Sequence, residues 1–209
     1  MIGIALGLIS YYFVTDFLAA REQRALRAEI SGQAEGWDRP DRPMGPGETG
    51  WETWDEEDAA YWQSLHDGDI FGRIVIEKIG LDAVVVFGSG TADLKKGPGW
   101  IQYTDLPGQT GNVGIAGHRT TYGAPFRRLD ELTVGDTINL YSPYRRYTYE
   151  VAEKKIVTPD QVEVMDSTPD SRLTLSACHP PFSARYRLIV QSTLIEMARL
   201  EGPAEAAGP

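Results

Sequence analysis

The chain is short of cysteine and histidine, with one Cys and three His in 209 residues. A lone cysteine excludes an intramolecular disulfide, so the folded domain depends on its core. Any thiol chemistry falls on Cys178. One thiol, separated histidines and scattered acids do not make a zinc site. Positive charge is also scarce: 20 Lys and Arg stand against 30 Asp and Glu, a net of −10. Without a basic stripe, nucleic-acid binding has no electrostatic support. No internal repeat is present.

The acidity is local. Residues 31–69 hold 11 Asp and Glu against 2 Arg, whereas residues 70–209 hold 16 acids and 15 bases. The long apolar stretch lies at the start. Residues 1–20 read as a transmembrane anchor, with Ile2-Gly-Ile-Ala-Leu-Gly-Leu-Ile in lipid and Tyr11, Tyr12 and Phe13 near a lipid–water boundary. Asp16 weakens the span, because a carboxylate deep in lipid is costly. The alternative is a cleaved signal peptide, for which Leu18-Ala19-Ala20 is a poor site. Residues 21–69 read as an acidic linker containing Pro and Gly, with helix continuing from Ala19 to Ile30 and a short helix within 52–66. The aromatic face of that short helix (Trp54, Tyr61, Trp62) is expected to pack on the domain; a lid over the site is the alternative. Residues 199–209 read as a disordered tail.

From residue 70 to 198 the pattern is β. Ile74-Val-Ile, Ala83 to Phe87, Asn112 to Ala116, Asp136 to Tyr141, Arg146 to Ala152, Lys155-Ile-Val, Leu173 to Ala177 and Leu188 to Leu194 are short apolar runs separated by turns. Gly97-Pro-Gly99 and Pro107-Gly108 mark two turns, and Pro125 to Leu132 a short helix. Seven or eight such strands imply an all-β closed barrel or sandwich with short helices.

Three residue types on these strands fit one chemistry. A cysteine nucleophile needs a thiolate, a proton carrier and a cation to hold the carbonyl oxygen. Thr174, Ser176 and Cys178 share one strand face, with Leu173, Leu175 and Ala177 on the other. The thiol therefore lies on the more polar face at a strand end before Pro180-Pro181, whereas an inert cysteine is usually a small buried hydrophobe. His118 ends the run Gly111-Asn-Val-Gly-Ile-Ala-Gly. His179 is adjacent to the cysteine, but successive strand side chains point to opposite faces, so it reads as a loop or surface residue. His66 reads as solvated. Arg185 and Arg187 are two apart, and spacing alone does not choose between them.

These residues resemble the sortase family of cysteine transpeptidases. Thr174-Leu-Ser-Ala-Cys178 resembles the Thr-Leu-x-Thr-Cys signature, Gly114-Ile-Ala-Gly-His118 the histidine motif, and Arg187-Leu-Ile-Val190 the arginine strand. His118-Arg-Thr-Thr-Tyr-Gly-Ala-Pro-Phe126, Gly97-Pro-Gly99 and Leu106-Pro-Gly-Gln-Thr-Gly-Asn112 are most similar to class E sortases of actinobacteria. The resemblance implies an eight-stranded β-barrel behind an N-terminal membrane helix. It implies Cys178 as nucleophile, His118 as general acid/base and Arg187 as oxyanion and substrate holder, with Tyr122, Thr120, Ala177 and Arg185 at the substrate. Ala177 departs from the family's usual Thr. The implied reaction cleaves a C-terminal sorting motif, Leu-Ala-x-Thr-Gly or Leu-Pro-x-Thr-Gly, between Thr and Gly on surface proteins. The acyl group then passes to an amine of a cell-wall precursor or pilin. The catalytic domain would lie outside the membrane, although Arg21, Arg24 and Arg27 taken by charge bias alone would put it inside. An L,D-transpeptidase is disfavoured because Ser-Ala-Cys-His does not match Ser-His-Gly-Cys. A non-catalytic, membrane-anchored β-domain binding wall components is the other alternative.

Overall fold

A computed structural model describes residues 2–32, 41–42 and 56–200. Eight strands form the body: β2 (Ile70–Ile76), β3 (Leu81–Phe87), β4 (Gly99–Trp100), β5 (Gly111–Gly117), β6 (Thr137–Tyr141), β7 (Arg145–Val157), β8 (Ser171–His179) and β9 (Tyr186–Leu200). A two-residue strand β1 (Asp41–Arg42) pairs along the end of β9. The order is β1-β9-β7-β6-β2-β3-β4-β5-β8, and the further pairing of β8 with β9 closes the sheet into a barrel. This is the expected barrel. The β6–β7 hairpin is also where the sequence puts it, but Lys155-Ile-Val is the continuation of β7 and not a separate strand. In place of the short helix at 125–132, a 3-10 turn covers Leu129–Glu131.

Alternation fills the barrel. Phe71, Ile74, Ile76, Val85, Ile115, Leu140, Tyr147, Leu173, Leu175 and Val190 belong to one buried cluster. Phe71 and Trp100 stack with ring centroids 5.1 Å apart, and Trp62 lies 5.0 Å from Phe71. Trp62 comes from α2 (Glu56–Ser64), whose neighbour Tyr61 donates to the Ile70 carbonyl at 2.6 Å. The aromatic face of this helix packs on the domain as expected. Asp58 is not an exposed residue of its first turn: it is buried and ion-paired with Arg145 at 2.6 Å. Burial raises its pKa, opposed by Arg145. A helix pinned by a buried ion pair is a poor candidate for a lid.

Helix α1 (Ile2–Gly32) does not stop at residue 20. Over residues 10–31, Tyr12, Thr15, Asp16, Ala19, Gln23, Leu26, Arg27 and Ile30 are the buried or half-buried positions, the 3–4 residue spacing of one helix face. That face lies on the barrel. Gln23 accepts from the Val84 N–H at 2.8 Å and donates to the carbonyls of Val84 at 3.0 Å and Lys96 at 2.9 Å. Its amide thus takes the place of a neighbouring strand at an open stretch of β3, where Val84 is fully buried. Asp82 receives Arg27 at 3.1 Å and Arg73 at 2.9 Å, and the Arg73 contact leads in holding its carboxyl below the usual range. Among the described residues no helix is long and apolar enough to cross a membrane. Residues 33–40 and 43–55 of the expected linker, and 201–209 of the expected tail, lie outside the described residues.

The docked face of α1 predicts a stability effect. Gln23→Leu leaves a buried N–H and two carbonyls without this partner and should lower unfolding free energy by about 1–3 kcal/mol. Urea unfolding of the full chain checks this, and an unchanged midpoint would mean that α1 is not seated on β3.

Candidate active site

Strand β8 lies between β5 and β9. On one side it runs parallel to β5, with Gly111 opposite Ser171 and the register continuing to Gly117 opposite Ala177. His118 follows the last residue of β5 and Cys178 follows Ala177, so both stand one residue beyond the final β5–β8 pair. On the other side β8 runs antiparallel to β9, and Cys178 pairs directly with Arg187. Directly opposed residues share a face with Cα atoms about 4.5–5.5 Å apart. The β9 register thus sets Arg187 opposite Cys178, and the β5 register ends one residue short of His118, 60 residues away in sequence.

The same alternation sets the direction of the thiol. Leu173, Leu175 and Ala177 belong to the core, as do Leu188 and Val190 of β9. Cys178 and Arg187 hence lie on the other face, and both are half-buried. At the far end of that face Thr174 is covered, donating to Asn112 Oδ1 at 2.8 Å. Asn112 in turn donates to the carbonyls of Val164 and Asp166. The polar face is closed at Thr174 and open at Cys178.

Arg187 Nη1 donates to the carbonyls of Ala184 at 3.0 Å and Tyr186 at 3.1 Å. These bonds hold the guanidinium against the loop that precedes β9. Arg185 is exposed in that loop, with its guanidinium 5.2 Å from the Tyr186 ring centroid. The structure thus separates two arginines that spacing could not: only Arg187 is opposite the cysteine.

His118 starts the loop to the 3-10 turn. Gly117 before it must be glycine, because a Cβ there would lie 2.6 Å from the Phe126 ring. Phe126 is fully buried and its N–H bonds to the His118 carbonyl at 3.1 Å. The loop folds back through left-handed backbone at Tyr122 (φ 52°), Gly123 (φ 74°) and Ala124 (φ 43°), unfavourable for the two non-glycines. Contacts from α1 hold it there. Asp16 accepts from the Gly123 N–H at 2.9 Å and lies 3.8 Å from Arg127, and the hydroxyls of Tyr11 and Tyr122 are 3.4 Å apart. The Tyr122 ring lies 5.1 Å from the His118 ring, with Lys95 5.8 Å from the Tyr122 centroid. Burial first, and then the Lys95 cation, depress the pKa of His118, favouring neutral imidazole.

The remaining sequence candidates divide. Thr120 is half-buried and lines a cavity of about 440 Å³ with Tyr12, Arg119, Pro181 and Phe182. Ala177 points into the core, on the face away from the thiol, so it meets the nucleophile through the backbone. His66 is exposed, as expected. His179 is not a free loop residue: it belongs to β8 and accepts at Nδ1 from Arg119. Sequence reading missed Arg119, Lys95, Tyr11 and the docking role of Asp16; no local pattern marks a contact across so many residues. Among the described residues no three His, Cys, Asp or Glu side chains group to hold a metal ion.

Comparison with known proteins agrees with this geometry. The Sortase domain profile matches residues 74–195. Sortase SrtE1 of Streptomyces coelicolor is 36% identical over 97 residues, covering 42% of this chain and 28% of that protein. The chain thus spans less than a third of the length of that relative. The structure of sortase E from Streptomyces avermitilis is 33% identical, with a TM-score of 0.60 over 69% of this chain and 97% of that one. A Clostridium perfringens sortase D5 transpeptidase is 26% identical, with a TM-score of 0.68 over 84% of this chain and 99% of that one. With the profile spanning more than half of its residues, and a thiol, an imidazole and a guanidinium at adjoining strand ends, the chain belongs to the sortase family of cysteine transpeptidases.

Proposed function

We propose that this chain is a class E-like sortase that cleaves a sorting motif of the Leu-Ala-x-Thr-Gly or Leu-Pro-x-Thr-Gly type between Thr and Gly. The observation that carries the reading is the double register of β8, with Gly117 opposite Ala177 and Cys178 opposite Arg187. Its partners are surface proteins bearing C-terminal sorting signals, and the acceptor is an amine of a cell-wall precursor or a pilin lysine. A place at the outer face of the cell membrane is supported by the family alone, because α1 from Tyr12 onward lies on the barrel and no described helix is long and apolar enough to span.

In this reading the Cys178 thiolate attacks the Thr carbonyl carbon, and charge develops on the carbonyl oxygen. Arg187 donates to that oxygen. His118, as imidazolium, gives its proton to the departing Gly nitrogen as the C–N bond breaks, leaving a thioester on Sγ. The acceptor amine then attacks the thioester, His118 takes a proton from it, and the thiolate leaves as the new amide forms. Tyr122 beside His118, Thr120 in the cavity and Arg185 on the loop rim are the proposed substrate contacts, with Ala177 acting through the backbone.

Lowered His118 basicity has a consequence. Imidazolium is lost as pH rises through a value below the ordinary one for histidine, so near neutrality the protonated acid is the minor form of His118. Lys95→Gln removes one cause of the depression. It should move the acidic limb of the pH profile of kcat/KM to higher pH, with activity near neutrality raised; an unmoved limb would remove Lys95 from the site's electrostatics.

The function itself is tested with the full chain and fluorogenic Leu-Ala-x-Thr-Gly and Leu-Pro-x-Thr-Gly peptides. Cys178→Ala should abolish cleavage. Arg187→Ala should lower kcat by about 10²–10³-fold, the typical loss for an oxyanion donor. Arg187→Lys should recover little of that loss, since an ammonium lacks the planar fork. Wild-type kcat in Arg187→Ala, or cleavage by Cys178→Ala, would contradict the assignment.

A further inference from the structure

Cys178 and His118 lie just past the last pair of their ladder. The β5–β8 register ends at Gly117 opposite Ala177, so no further backbone pair fixes His118 relative to the thiol. The next link across the two strand ends is a side-chain bond. Arg119, which follows His118, donates from Nη1 to Nδ1 of His179, which follows Cys178, at 2.7 Å. From Nη2 the same guanidinium pairs with Asp130 Oδ1 at 2.8 Å. Asp130 lies in the Leu129–Glu131 turn, which is seated by the fully buried Leu129 and Leu132.

We propose that Arg119 and His179 are positioning residues for acyl transfer, a clasp that fixes the His118 imidazole against the Cys178 thiol. This rests on the cysteine-transferase reading above. The two reacting residues are then bracketed, by the Gly117–Ala177 pair on one side and the Arg119–His179 bond on the other. Strand alternation turns His179 away from the face of Cys178, so the clasp leaves the reacting face clear. Arg119 is only 3% exposed, and its Nε is buried without a hydrogen-bond partner among the described residues. A guanidinium so deeply buried is held by its two Nη contacts, and a bidentate donor is suited to bridge two fixed acceptors. Because guanidinium only donates, His179 accepts as neutral imidazole with its proton on Nε2.

The chemistry chooses the variants. Asn at position 179 offers an oxygen close to where Nδ1 stands, whereas Leu offers no acceptor. In the full chain, His179→Leu should lower kcat for peptide cleavage by about tenfold to 100-fold, the scale of an ångström-level misplacement, with KM within about twofold. His179→Asn should restore most of it, and Arg119→Lys, which cannot bridge both acceptors, should behave like His179→Leu. A readout independent of substrate is alkylation of Cys178 by iodoacetamide. In His179→Leu it should slow at neutral and lower pH, where reactivity depends on an imidazolium held beside the sulfur, and match wild type at alkaline pH, where the imidazolium no longer contributes.

Wild-type kcat and an unchanged alkylation profile in folded His179→Leu would overturn the clasp, as would a His179→Asn variant no better than Leu. If the buried Arg119 variant fails to fold, the His179 pair, at a half-exposed position, carries the test. If wild-type enzyme alkylates normally yet cleaves neither peptide, the motif assignment fails while the alkylation profiles still decide the clasp.

Discussion

The hydrogen-bond ladder that inserts β8 between β5 and β9 is the constraint on which the rest depends. It closes the barrel, and it fixes which residues meet at the strand ends. The core enforces that register. Leu173, Leu175 and Ala177 point inward because they are apolar at alternate positions. A slip of one residue would turn all three to the outer face and send Cys178 into the barrel. Hydrophobic burial thus sets the direction of the thiol, and through the β9 register it selects the arginine opposite it.

Around this rigid frame the site is finished by less regular parts. The loop after His118 adopts left-handed backbone at Tyr122 and Ala124, a conformation that persists only when contacts impose it. Phe126 seals one end of the loop against Gly117, and Asp16 of α1 binds its tip at Gly123. The helix also satisfies an open stretch of β3 through Gln23. Helix α1 is therefore part of the catalytic domain's architecture, reaching from the Ile30 end of the barrel to the rim of the cleft. Asp16 has a protein partner, which gives a physical account of a carboxylate in an otherwise apolar stretch.

Much of this is legible in the sequence, and the reason differs from residue to residue. Strands and the placement of Cys178 on the polar face follow from alternation, a local property that sequence carries directly. The pairing of Cys178 with Arg187 and not Arg185 does not, because it depends on a β8–β9 register set by the whole core. Lys155-Ile-Val reads as an independent strand because a bulge in β7 between Val151 and Glu153 interrupts the pattern of a single long one. The burial of Asp58 is not legible locally, because it depends on Arg145, 87 residues away. The Arg119–His179 bond is illegible for the same reason: the two residues flank the motif histidine and cysteine, but they meet only once two distant strands have ended side by side.

If Cys178 is the nucleophile of the proposed transpeptidation, mixing the full chain with an excess of Leu-Ala-x-Thr-Gly or Leu-Pro-x-Thr-Gly peptide should give a covalent adduct by intact mass spectrometry. The adduct should have the mass of the peptide up to and including Thr, lack the Gly end, sit on Cys178 and be absent from Cys178→Ala. Folded protein that cleaves such peptides with no dependence on Cys178, or that carries the adduct on another residue, would contradict the assignment.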